Sequence, residues 1–153
     1  MKKETAVDLA NDMLKRLIPE AEQRGVRLGI ENREALEEIP LDTDFPQLFK
    51  KFPSPVAGYW HDCGHAQIKE NMGFIQHAMQ LEAMAPRLYG FHIHDVQAPA
   101  RDHCPPGSGM INYTALQPFV RPEHIKVLEL SPGVPPAEVL RGFEHIKSLW
   151  GPE

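Results

Sequence analysis

The sequence predicts an α/β fold organised on a parallel sheet of about four strands, and three observations carry that prediction. Short apolar runs rich in β-branched and aromatic residues alternate with stretches of helical periodicity. Each strand-like run ends on a glutamate, an aspartate or a histidine. These ends, Glu31, Asp62, His92 and Glu129, are separated by 31, 30 and 37 residues, one strand–helix unit each. Strands joined through helices pair in parallel by right-handed crossovers.

Taken in order, residues 5–24 repeat apolar side chains at threes and fours, the period of a helix with one buried face. Pro19 lacks the amide donor and crowds the preceding turn, so a kink or restart is expected there, and Gly25 suits a C-cap. Residues 26–30 (VRLGI) form a first strand running into Glu31 and Asn32. Residues 33–44 carry two candidate helix starts, and Asp44 with the following FPQLFKKF opens a short amphipathic helix.

The second strand is residues 56–60, followed by His61, Asp62, Cys63, Gly64 and His65. One helix is expected over 67–84, with Ile68, Met72, Ile75 and Met79 in its apolar stripe. The third strand is 88–93. After it, three prolines (Pro99, Pro105, Pro106) and two glycines (Gly107, Gly109) predict an irregular loop. A short helical turn over 113–119 stops at Pro118 and Pro122. Residues 125–128 (IKVL) are the fourth strand, and a last helix over 136–149 presents Val139, Leu140, Phe143, Ile146 and Trp150 on one face.

At 153 residues the chain suits a single domain spanning 1–153 with one sizeable core. No apolar run approaches the roughly 18 residues of a membrane span, and MKKETAVDLAND is too polar for a secretory signal. The net charge of −5, with no basic block, argues against a nucleic-acid surface. The two cysteines, Cys63 and Cys104, sit beside metal-type residues rather than in a disulfide framework, which points to a reducing, cytoplasmic setting. Each reads either as a small buried hydrophobe or as a thiolate ligand.

Parallel strands place their carboxyl ends on one side of the sheet, so Glu31, Asp62, His92 and Glu129 are expected to converge where α/β barrels carry their active sites. Three carboxylates and an imidazole suit a divalent ion such as Mn²⁺, Mg²⁺, Co²⁺ or Zn²⁺. His94 and His61 alternate away from His92 and Asp62, so both are read as packing groups, His94 and Asp95 also as second supports for the ligands. His77, His124 and His145 are assigned no role, Trp60 and Tyr59 are core or pocket wall, and Gly107 and Gly109 shape a turn.

GIEN at 29–32, HDCGHA at 61–66, HIHD at 92–95, DHCPPGSGMINY at 102–113 and LEL at 128–130 resemble the xylose isomerase-like TIM barrel superfamily. That superfamily includes sugar phosphate isomerases and epimerases and the endonuclease IV-type enzymes. The resemblance implies one divalent cation on Glu31, Asp62, His92 and Glu129, with Glu31 and Glu129 as the acid/base pair of an epimerase acting on a sugar or sugar phosphate. It implies substrate contacts from His65 and His103, or further zinc in an endonuclease IV-type hydrolase. Many relatives carry aspartate two places before the loop histidine, where this chain has Arg101. That exchange favours a contact from Arg101 to an anionic or hydroxylated substrate. A full barrel needs about 250 residues and eight strands. The chain resembles only the C-terminal half, so a homodimer or a partner chain is expected to complete the barrel, the remaining reading being a non-catalytic half barrel.

Overall fold

The computed structural model describes residues 3–151. Helix α1 (Lys3–Arg24) leads into β1 (Leu28–Glu31), and α2 (Phe45–Lys51) into β2 (Ala57–Asp62). Helices α3 (Cys63–Asn71) and α4 (His77–Met84) precede β3 (Leu88–Ile93). A ribbon of β4 (Asp95–Gln97) and β5 (Arg101–Cys104), then the single turn α5 (Tyr113–Leu116), lead to β6 (Ile125–Leu128) and α6 (Pro136–Trp150). The four longer strands form one parallel sheet in the order β1-β2-β3-β6, with Asp62 level with His92 and Ile93 level with Leu128. This is half of a (β/α) barrel, with helices on one face of the sheet.

Strand alternation divides the residues between the two faces. Tyr59, Phe91 and Ile93 point to the helices and pack with Phe45, Leu81 and Trp150 in the main core. The other face carries Glu31, Trp60, Asp62, His92 and Glu129, together with Ile125 and Val127, which are 47% and 39% exposed. The Trp60 indole lies across this face over Gly90, where a Cβ would stand 2.7 Å from the ring. Large apolar side chains on an uncovered sheet face, with β1 and β6 as unpaired edges, match the expectation of half a barrel.

Four local expectations are corrected. Helix α1 is continuous through Pro19. A proline in a helix interior costs about 3 kcal/mol, and burial of Ile18 against Phe52 and Ala57 offsets this. The helix expected over 67–84 starts at Cys63, because the Asp62 side chain caps it by accepting His65 N–H at 2.7 Å. It then breaks at Gly73, whose φ of +78° is left-handed, and restarts as α4 with His77 N–H donating to Glu70 at 2.8 Å. The loop after β3 begins as an antiparallel ribbon in which Asp95 pairs with Cys104. Its return is tied down by the Asp95 carboxylate, which accepts the N–H groups of Gly107, Gly109 and Ile111 at 2.9–3.1 Å.

Candidate metal centre at the strand carboxyl ends

The parallel register brings together the four residues that end the long strands. His92 Nδ1 lies 2.6 Å from Glu31 Oε1, 3.1 Å from Glu129 Oε2 and 3.8 Å from Asp62 Oδ2. One donor atom from each residue falls within 4.8 Å of all the others. Asp62 is fully buried, Glu31 and His92 are half-buried, and Glu129 faces the open side. Three carboxylates this close repel one another unless a positive charge stands among them. Arg33 reaches Glu31 only at 3.8 Å and spends its hydrogen bond on Glu38. An oxygen-rich set with one imidazole is a fitting cradle for a divalent cation.

Asp62 is the most tightly held member. Burial alone would raise its carboxyl, but His94 Nε2 at 3.1 Å from both oxygens and the nearby His65 outweigh burial and bring it to about 2. Burial pulls the His94 imidazole down while Asp62 lifts it further, so its pKa is raised. The His94 ring accepts the N–H of His103 at 2.9 Å and stacks on the His103 ring at 4.1 Å. Its other side meets Gly64, where any Cβ would overlap the imidazole. Asn32, wholly buried, exchanges two hydrogen bonds with the Asp62 backbone at 2.7 and 3.0 Å, locking the end of β1 to the end of β2. Asn32 and Arg33 stood beside Glu31 in the sequence without an assigned role. The brace could have been suspected only from a polar side chain in a position the sheet must bury.

The remaining candidates sit around this group. His65 Nδ1 meets the Asn32 carbonyl at 2.9 Å and lies 3.7 Å from Asp62. His103, in a left-handed conformation at φ 51°, pairs with Asp102 at 3.0 Å and stands 4.0 Å from Glu129. Arg101 opens β5 and is exposed, with no side-chain ion pair to the cluster among the described residues. A groove of about 990 Å³ runs beside Glu31 and Arg33 at the β1 edge. His92 and Glu129 border open space, where the second half of a barrel would stand, while Asp62 lies buried beneath them.

Residues 2–149 match the model of the family described as xylose isomerase-like TIM barrel. The chain belongs to that family. No protein of curated function matches this xylose isomerase-like chain. Solved structures with a similar fold include a D-tagatose 3-epimerase-like protein, at TM-score 0.68 and 19% identity over 90% of this chain and 52% of that one. A D-psicose 3-epimerase solved in the presence of D-fructose gives TM-score 0.69 and 16% identity, over 91% of this chain and 54% of its own. The 3-keto-D-glucoside 4-epimerase YcjR from E. coli, in its apo form, gives 0.69 and 16%, over 90% and 51%. The chain thus spans about half the length of the solved structures it matches. Among the described residues no helix is long and apolar enough to cross a membrane.

Proposed function

We propose that this chain is the cation-binding half of a sugar or sugar phosphate isomerase or epimerase, a single half-barrel domain working in a reducing, cytoplasmic setting. The observation that carries the reading is the convergence of Glu31, Asp62, His92 and Glu129 at the carboxyl ends of a parallel sheet. The fold it shares with two sugar epimerases and a D-tagatose 3-epimerase-like protein supports the substrate class. A divalent ion (Mn²⁺, Mg²⁺, Co²⁺ or Zn²⁺) supplies Lewis-acid polarisation of a substrate carbonyl when bound to these four residues.

The chain's own residues do the rest. Glu31 comes from one edge strand and Glu129 from the end of the other, so a substrate between them is flanked by a carboxylate on either side. One removes the proton beside the carbonyl and the other returns a proton to the opposite face of that carbon. His94 and Asn32 keep Asp62 fixed while this occurs. His65 and His103, whose Nδ1–H groups are spent on the Asn32 carbonyl and the Asp102 carboxylate, offer Nε2 to accept from substrate hydroxyls, and Arg101 meets an anionic or hydroxylated substituent. Two copies of the chain, the β6 edge of each beside the β1 edge of the other, complete the barrel and exclude water from the site.

The test is exchange of the substrate proton with solvent. Metal-loaded protein incubated with D-fructose or a related ketose in D₂O should incorporate deuterium at the carbon beside the carbonyl, with epimer formed alongside. Glu31→Gln or Glu129→Gln should slow exchange by about 10²–10⁴-fold. Exchange no faster than in buffer across a panel of ketoses and their phosphates would remove this reading.

A further inference from the structure

We infer that the chain carries a second metal site behind the first, formed by His61, Cys63 and His77 for a borderline or soft ion of the zinc kind. The three side chains come from three elements: the helix-facing side of β2, the first residue of α3 and the first residue of α4. His61 and Cys63 are fully buried and His77 is 3% exposed, and one donor atom from each lies within 4.8 Å of the other two. Two imidazole nitrogens and a thiolate are the donors that zinc-type ions select, in contrast to the oxygen-rich set on the other face of the sheet.

The geometry favours an ion over an accidental contact. His61 Nδ1 is engaged by the Tyr59 hydroxyl at 3.1 Å, which leaves His61 Nε2 facing His77 Nε2 at 2.8 Å. A ligating histidine is oriented in this way by a hydrogen bond at its other nitrogen. Ligand distances of about 2.0–2.1 Å to nitrogen and 2.3 Å to sulfur require the two nitrogens to part by roughly half an ångström. Binding releases the Cys63 thiol proton to solvent, and the ring that carries the hydrogen between the two Nε2 atoms shifts to its Nδ1–H tautomer, so both histidines stay neutral and turn a bare Nε2 to the ion. Such an ion would pin α4 to the sheet directly behind Asp62, a structural role separate from the chemistry on the open face.

The test disables the front site and leaves one thiol. In the E31Q/E129Q/C104A chain Cys63 is the only cysteine, since the sequence has two. Titration of the metal-free protein with Co²⁺ should give a near-ultraviolet thiolate-to-cobalt charge-transfer band saturating at one ion per chain. The band should be lost in the further variant His77→Gln, and Zn²⁺ should displace it and raise the melting temperature. A folded protein that gives no band, or a band that survives His77→Gln, overturns the site. Because the front tetrad is disabled throughout, either outcome leaves the epimerase reading to its own test.

Discussion

Replacing His94 with alanine removes the one side chain that, among the described residues, hydrogen-bonds the buried Asp62 carboxylate. His94 Nε2 stands 3.1 Å from both Asp62 oxygens, and both residues are fully buried. Breaking a buried charged pair by deleting one partner costs about 3–5 kcal/mol. The lower end applies here, because His65 N–H still donates to Asp62 at 2.7 Å. The Asp62 part of the loss depends on pH in a definite direction. In the wild type Asp62 is held at about 2, below its ordinary 3.8, so its ionised form contributes stability above that range which is lost as pH falls through 2. Without His94, only His65 opposes burial, and the carboxyl moves upward. The variant then carries a penalty at neutral pH that fades as acid protonates the carboxyl. Urea unfolding in the presence of a chelator should show a deficit of about 3 kcal/mol at pH 7. A deficit below about 1 kcal/mol would refute the charge pairing.

Three further outcomes follow from the same geometry. Burial depresses the His77 imidazole from 6.5 to about 4, so the unfolded chain takes up a proton first as pH falls through that window. The His77 contribution to the stability of the metal-free protein should fall by roughly 3 kcal/mol between pH 6.5 and 4, read as the difference in slope between wild type and His77→Gln. Gly64→Ala drives a methyl group into the His94 ring and should destabilise by about 1–3 kcal/mol in denaturant unfolding, with weaker metal binding alongside. Light scattering should give twice the chain mass for the wild type, and Ile125→Glu, at a 47%-exposed position of the edge strand β6, should return it to the monomer; a monomeric wild type would contradict closure by a second copy.

The strands and their ends were legible because both signals are local. A run such as IKVL followed by glutamate states its period and its terminal chemistry together, and the observed β6 spans the same four residues. The convergence of those ends then follows from parallel pairing. What the sequence concealed depends on distant partners. The ribbon at 95–104 is stabilised by one carboxylate gathering three amides from beyond it, whereas the early start of α3 rests on a local cap, Asp62, three residues before His65. The continuity of α1 through Pro19 rests on what Ile18 packs against. His61 and His77 are 16 residues apart, and no periodicity in the sequence indicates that their rings meet in the core.

Mn²⁺ binding followed by the electron paramagnetic resonance of the free ion tests the front site most directly, because a hard cation distinguishes the carboxylate tetrad from the nitrogen and sulfur donors behind it. Wild-type protein should remove one equivalent of the free-ion signal, and Asp62→Asn should restore it. A free-ion signal undiminished by folded wild-type protein would contradict a metal centre at Glu31, Asp62, His92 and Glu129.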